Sequence, residues 1–378
     1  MASNHYREIT SIDELREMLN THERIERCAF QDMDFSELTE EAHTARYFDC
    51  LFMGCTFSKP MRIQIDKSCL IFSHIDVPYN CFRNEMYTAA SLYDKYVIGY
   101  PESYRECYDY KVYEHYLDMG KTATDIKETL ARTLHDHSIH TALKEFFKSY
   151  NKQHCVGIMG GHALQRTDYM YKKIVLLSKR LTELGFFMLS GGGPGAMEAT
   201  HLGAWMAGYS NDDVEEALQI LSVAPSFKNS EWLASAFKVI NKYPQNKYIS
   251  LGIPTWLYGH EPSTPFATHI AKFFENSIRE DSILTLAFGG IIYTPGSAGT
   301  MQEIFQDAVQ NHYLSFGISS PMIFMGKEAW TQQMPVYPLL KELQACNKYK
   351  NLLLALSDDI DEIIDKLIKF RNHIEKIG

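Results

Sequence analysis

The chain has 378 residues, 45% of them hydrophobic and 22% charged, and a formal net charge of −10. That length suits two or three domains of roughly 100–200 residues, and the apolar content excludes a globally disordered chain. The acidic balance argues against a nucleic-acid or anionic-membrane partner, which a basic stripe would serve, while leaving room for a small anion held by local amides and one arginine.

The opening stretch "MASNHYREITSIDE" is polar and lacks the apolar core of a signal peptide. No run of about 18 uncharged apolar residues offers a membrane span. The eight cysteines (Cys28, Cys50, Cys55, Cys69, Cys81, Cys107, Cys155 and Cys346) form no C-x-x-C pair, so neither a zinc ribbon nor a thioredoxin-type site is signalled. The expectation is a cytoplasmic chain whose free thiols act as small buried apolar groups.

From Cys28 to Ile75 the sequence carries a period of five. Phe30 and Phe35, Cys50 and Cys55, Phe52 and Phe57, and Leu70 and Ile75 are each five apart. That spacing suits neither a helix nor an ordinary strand. It resembles the coils of a pentapeptide-repeat solenoid, "CAFQDMDFSE" and "FDCLFMGCTFS" being the clearest pieces. A small irregular β-rich domain is the alternative, and residues 1–100 are assigned to it under either reading. Residues 101–150 read as a helical connector, with Ile126, Leu130, Leu134, Ile139, Leu143 and Phe147 at helical spacing. Within it, "HDHSIH" puts His137 and His140 on one face but not His135, and there is no H-E-x-x-H pattern. A solvated or capped histidine cluster is the better reading, and no metal is expected.

From 151 to 378 the chain alternates in an α/β manner. "CVGIMGG", "FFMLSGGG", "LQILSVA", "YISLGI", "GGIIYTPG" and "SPMIFMG" read as strands. "YMYKKIVLLSKRLTELG", "AMEATHLGAWMAG", "FATHIAKFFENSIREDSIL" and "DDIDEIIDKLIKFRNHI" read as helices. The fold class expected is α/β: a Rossmann-like, doubly wound parallel sheet with a smaller N-terminal domain. Ligands bind such sheets at the carboxyl ends of the strands. Three turns there are rich in glycine: "GIMGGH", "SGGGPGAME" and "TPGSAGTMQE". Two of them open helices and aim backbone amides at an anion, best satisfied by a phosphate.

The fingerprint G-x-G-x-x-G is missing from the first turn, which disfavours hydride transfer. "GKT" at Gly120 is no P-loop, because His115 stands where a glycine is required. Thr300 and Glu303 have the T-x-x-E spacing of a capping box. The same spacing also puts Glu303 in the mouth of a phosphate site. Arg279, about one strand upstream, is either a surface partner of Glu275 four residues earlier or part of that site.

The pair "SGGGPGAMEA" and "PGSAGTMQE", with "NSIRE" upstream, resembles the Lonely Guy family of nucleoside 5′-monophosphate phosphoribohydrolases. The likeness runs from about Asn151 to the C-terminus. Two positions depart from the family pattern. Ser297 stands where the family has glycine, and Glu280 follows Arg279 where lysine is usual. Were position 297 to need a positive φ, serine would cost roughly 1 kcal/mol. "GGHALQRTD", from Gly160 to Asp168, resembles the first nucleotide-contacting loop of longer bacterial members.

The resemblance implies hydrolysis of an N-glycosidic bond, releasing a free base and ribose 5-phosphate. Arg279 and Glu303 would be the catalytic pair. The amides of Gly296, Gly299 and Thr300, with Ser297, would bind the 5′-phosphate. Gly191, Gly192, Gly193 and Gly195 would pack against the ribose and its phosphate, and Gly160 and Gly161 would belong to the first loop. Glu198 is the nearest candidate acid for the leaving base. The scheme asks for no cofactor and no metal, and it implies a homodimer or larger assembly. A non-catalytic nucleotide sensor of the same fold is the competing reading, since function lives in the site.

Overall fold

The computed structural model describes residues 6–9, 11–38 and 44–376. The chain divides into two units: Met1–Met86 with His115–Lys144, and Tyr87–Glu114 with Glu145–Gly378. The sequence suggested limits near 100 and 150. The contacts instead give residues 87–114 to the second unit and 115–144 to the first.

The first unit is built on six short strands, β1 (Arg7–Ile9), β2 (Arg24–Glu26), β3 (Cys28–Gln31), β4 (Arg46–Phe48), β5 (Leu51–Met53) and β6 (Leu70–Phe72). Every pairing is parallel: β1-β3-β5-β6 form one sheet and β2-β4 another. Phe30 pairs with Phe52 and Arg24 with Arg46, so the chain returns to the same place after 22 residues. The corners recur too, with positive φ at Arg27 and Asp49 and again at Asp32 and Gly54.

This stacking explains the five-residue period. Phe30 lies flat on Phe52 at 5.0 Å and Phe35 on Phe57 at 5.8 Å, so equivalent rings of successive coils build one aromatic core. Cys28, Cys50 and Cys55 are buried in the same interior. Burial pushes the Cys50 thiol up to about 12, which leaves it an inert packing group. The exposed thiol is Cys346, in the other unit.

The second unit carries a seven-stranded parallel sheet. Its strands are β7 (Cys155–Met159), β8 (Phe187–Ser190), β9 (Ser250–Gly252), β10 (His269–Ile270), β11 (Gly290–Tyr293), β12 (Pro321–Phe324) and β13 (Leu353–Leu356). Their order is β10-β9-β8-β7-β11-β12-β13. The chain winds outward from β7 to β10, then starts again at β11 on the other side of β7. That is the doubly wound pattern, and β7/β11 is its switch point. Strands β7, β8, β11 and β12 are buried along their whole length, as a parallel sheet covered on both faces requires.

The helices Tyr169–Glu183 and Ala196–Trp205 lie so close that a Cβ at Gly203 would overlap the Val175 carbonyl and the Ser178 side chain. Among the described residues, no helix is long and apolar enough to cross a membrane.

Three elements differ from the sequence reading. "LQILSVA" is not a strand. Its first residues close the helix Asn211–Leu221, which starts from a Ser210–Asp213 capping box and buries Val214, Ala217, Leu218 and Leu221 at helical spacing. The stretch read as one helix, "FATHIAKFFENSIREDSIL", contains strand β10 and only then the helix Asn276–Leu284. Strand β13 was not anticipated. It is an edge strand with Leu353 exposed, and so lacks the fully buried signature of the inner strands.

Candidate active site

The loops that leave β7 and β11 emerge side by side, because these strands pair in register, Met159 beside Tyr293. Three backbone bonds weld the glycine-rich turns together. Thr294 N–H donates to the Met159 carbonyl at 2.8 Å, Gly161 N–H to Pro295 at 3.1 Å, and Ala196 N–H to Gly161 at 3.1 Å. All three turns therefore open at one edge of the sheet, as the α/β pattern predicts.

A cavity of about 250 Å³ lies where they meet. Of the residues singled out in the sequence, Gly160, Gly161, Gly191, Arg279, Ser297, Gly299, Thr300 and Glu303 line it. His162, Met197, Tyr258, Glu261 and Glu280 line it as well. Tyr258 and Glu261 come from the loop between β9 and β10. The sequence reading placed no strand β10 and so gave that loop no position at the ligand-binding edge.

Gly191 explains part of the glycine content. A Cβ there would overlap both the Arg279 guanidinium and the Met197 sulfur. Gly195, at φ +71°, is the N-cap of the helix Ala196–Trp205, and a Cβ there would overlap the Gly161 carbonyl. Gly192, Gly193, Gly195 and Gly296 do not line the cavity; they shape its walls. Gly192 sits on the Gly252 backbone and accepts a bond from Thr264 N–H at 2.8 Å. Gly193 faces Met197, and Gly296 lies over the Thr300 hydroxyl.

Glu198 is also outside the cavity, and the expectation of a catalytic acid at this position is corrected. Its carboxylate is fully buried in a fork with Arg166, which donates at 2.9 Å and 2.6 Å. The Tyr171 hydroxyl adds a third bond at 2.9 Å. Arg166 in turn donates to Ser235 Oγ and to the carbonyls of Ala224 and Trp232. This carboxylate is a structural counter-ion with its lone pairs occupied.

Ser297 carries no strain. Its φ is −125°, outside the left-handed region, so serine serves here without the penalty a positive φ would bring. It is the N-cap of the helix Ala298–Tyr313 but makes no side-chain capping bond. Thr300 and Glu303 lie inside that helix, so the T-x-x-E spacing is not a capping box. The first amides of the helix have no intrahelical acceptors and stand at the cavity wall.

Arg279 projects from the helix Asn276–Leu284. Its Nε donates to the Ile253 carbonyl at 3.1 Å, and its Nη1 lies 3.4 Å from Glu303 Oε1. The two side chains are only 12% and 8% exposed. Burial raises the Glu303 pKa; the Arg279 charge opposes that shift and Glu280 reinforces it. The Glu280 carboxylate is held at 2.6 Å by Asn276 and at 2.5 Å by Gln302. At the mouth, His162 Nδ1 and His260 Nε2 lie 3.7 Å and 3.6 Å from Glu261 Oε1.

Beneath the second glycine-rich turn, His201 bridges Ser190 Oγ at 3.1 Å and Ser250 Oγ at 2.9 Å. It is wholly buried, and desolvation lowers its pKa to about 3, so it is a neutral strut. Behind Glu303, one helical turn on, Asp307 accepts a bond from the Tyr293 hydroxyl at 2.8 Å, and burial raises its pKa to about 7.

No family model matches the chain. No curated protein matches it either. Among solved structures, it is similar to the molybdenum cofactor binding protein from the phototrophic bacterium Rippkaea orientalis, at 17% identity and a TM-score of 0.34, over 57% of this chain and 96% of that one. The molybdenum cofactor carrier protein MCP from Chlamydomonas reinhardtii is similar over 57% of this chain and 97% of its own, at 15% identity and a TM-score of 0.34.

The cavity offers three kinds of group. Helix-terminal amides and Arg279 suit an anion. Glu303, desolvated and carrying a raised pKa, suits proton transfer or the stabilisation of positive charge. Glu261 and Glu280 make the remainder acidic, which disfavours a ligand of high negative charge.

Proposed function

We propose that the second unit hydrolyses the N-glycosidic bond of a nucleoside 5′-monophosphate, as the likeness of its motifs to the Lonely Guy family implies. The observation that carries this reading is the buried Arg279–Glu303 pair beside a free helix N-terminus in one cavity. The 5′-phosphate is bound by the amides at Ser297–Thr300. Arg279 orients the substrate by charge-assisted bonds. The C1′–N bond breaks with its electron pair leaving on the base, and water adds its oxygen to C1′. Glu303 stabilises the oxocarbenium-like charge and takes the proton from that water, which ends on the leaving nitrogen. The products are free base and ribose 5-phosphate, and no group outside the chain is needed for the balance. The same reading carries a cytoplasmic enzyme that works as a homodimer or a larger assembly.

Base release from AMP, GMP, CMP and UMP tests the proposal. Turnover by the full chain, lost in Glu303→Gln while nucleotide binding persists, supports it. Saturable binding with no base release from any of the four assigns a sensor instead.

A further inference from the structure

A second cavity, of about 340 Å³, lies in the same unit, between the segment Pro101–Tyr110, the residues Phe227–Leu233 and the loop at His260. Five rings line it: Tyr96, Tyr104, Tyr110, Phe227 and Trp232. Trp232 is held in place, because Arg166 lies over its ring at 4.7 Å and donates to its carbonyl at 3.2 Å. Arg105, Lys228 and His260 bring positive charge to the rim. Two carboxylates stand near: Glu102, paired with Arg105 at 3.3 Å, and Glu231, whose charge is felt at Tyr96.

The Tyr96 ring is fixed in the wall by stacking on Phe237 at 5.5 Å; its hydroxyl is shut off from solvent and takes no part in the site.

We infer that this second cavity binds a small aromatic anion of the mononucleotide class, at a site separate from the Arg279–Glu303 cavity. The rings provide stacking faces for a planar base. Arg105 and Lys228 meet the anionic group. The volume is near the lower end of ligand pockets, which run from about 300 to 1,000 Å³. It suits one ring system with one anionic group rather than a dinucleotide. The wall between the two cavities is a single layer. Glu261, on the first cavity, faces His260 on the second, and the His162 and Phe227 rings meet edge-on at 6.3 Å. The inference does not rest on the hydrolase reading.

Equilibrium dialysis of the full chain carrying Arg279→Ala, with AMP as the probe, separates this site from the first cavity. The expected result is one equivalent of AMP bound. Adding Arg105→Glu and Lys228→Glu, two exposed positions whose change leaves the circular dichroism intact, weakens that binding at least about tenfold. Phe227→Ala, which removes one ring from the wall, weakens it severalfold. Adenosine and inorganic phosphate alone bind more weakly than AMP. The inference is overturned if Arg279→Ala abolishes all AMP binding, which would make the two cavities one site. Binding indifferent to the charge reversals or to Phe227→Ala also overturns it, as does adenosine binding as tightly as AMP. A chain with no hydrolase activity that still shows this one equivalent refutes the proposed reaction and leaves the second site standing.

Discussion

At the scale of single residues, the cavity is decided by which carboxylates are free. Glu303 is buried, has Arg279 as its ion-pair partner, and carries a raised pKa. On the proposed mechanism activity is lost as pH falls through the Glu303 pKa, so the acidic limb of kcat/KM is expected above the ordinary glutamate value of 4.5. Glu280 helps to hold it there. Glu280→Gln keeps the shape and removes the charge, and is expected to move that limb to lower pH. A pH–rate profile of base release checks this, and an unmoved limb would refute it. Glu198 is the contrasting case. Glu198→Gln leaves Arg166 buried without a counter-charge and is expected to cost about 3–5 kcal/mol of stability. The folded fraction should retain its pH profile, because Glu198 does not reach the cavity. Urea unfolding together with activity per folded molecule reads both. The sequence put Glu303 near the mouth of a glycine-rich turn, and the structure lines the cavity with it, although from inside the helix Ala298–Tyr313 and not from a capping box. The sequence had no means to disqualify Glu198: the partner Arg166 is 32 residues away, and only the fold joins them.

At the scale of elements, the glycine-rich turns do two different jobs, and substitutions should separate them. Gly191→Ala pushes on the Arg279 guanidinium with no demand on its own backbone angle. On the proposed mechanism it is expected to lower kcat/KM at least about tenfold, since a small misplacement of Arg279 would be costly, with little change in Tm. Gly195→Ala combines a positive φ with an overlap at the Gly161 carbonyl. It is expected to lose about 1–3 kcal/mol of stability, read as a drop in the urea midpoint. Equal effects of the two on Tm would sink this division. Elements with a repeated or strongly patterned signal were legible. The inner strands are unbroken apolar runs, and the helices Tyr169–Glu183 and Ile360–Ile374 show clear amphipathic spacing. "LQILSVA" misled because a short apolar run does not reveal its period by itself. The Ser210–Asp213 cap, eight residues upstream of Leu218, is what decides it. The two-residue strand β10 is too short to carry any pattern, and with it went the position of Glu261 at the cavity.

For the whole molecule, the buried titratable groups set how stability depends on pH, and they pull in opposite directions. Asp307, raised to about 7, and Glu303, raised as well, hold protons more tightly folded than unfolded. Their contribution is full at low pH and is lost as pH rises through the folded values. His201, lowered to about 3, does the reverse. The unfolded chain takes up its proton near 6.5 while the folded chain refuses it, so the His201 contribution to stability falls as pH drops from 6.5 toward 3. His269 is lowered also and adds to the same fall. One fully refused proton is worth about 1.4 kcal/mol per pH unit. His201→Asn removes that slope, at the expense of the Ser190 and Ser250 bonds at neutral pH, about 1–3 kcal/mol. The four tryptophans, Trp205, Trp232, Trp256 and Trp330, all lie in the second unit, which also contains His201. Tryptophan fluorescence therefore follows that unit alone, and the aromatic coil core of the first unit, which has no tryptophan, is silent in it. Asp307 and Glu303 act equally in both proteins, so on going from pH 6.5 to 5.5 to 4.5 the urea midpoint by fluorescence should become progressively higher in His201→Asn relative to the parent chain. Parallel slopes in the two proteins would mean that His201 takes a proton in the folded state, and the neutral strut beneath the glycine-rich turn would have to be abandoned.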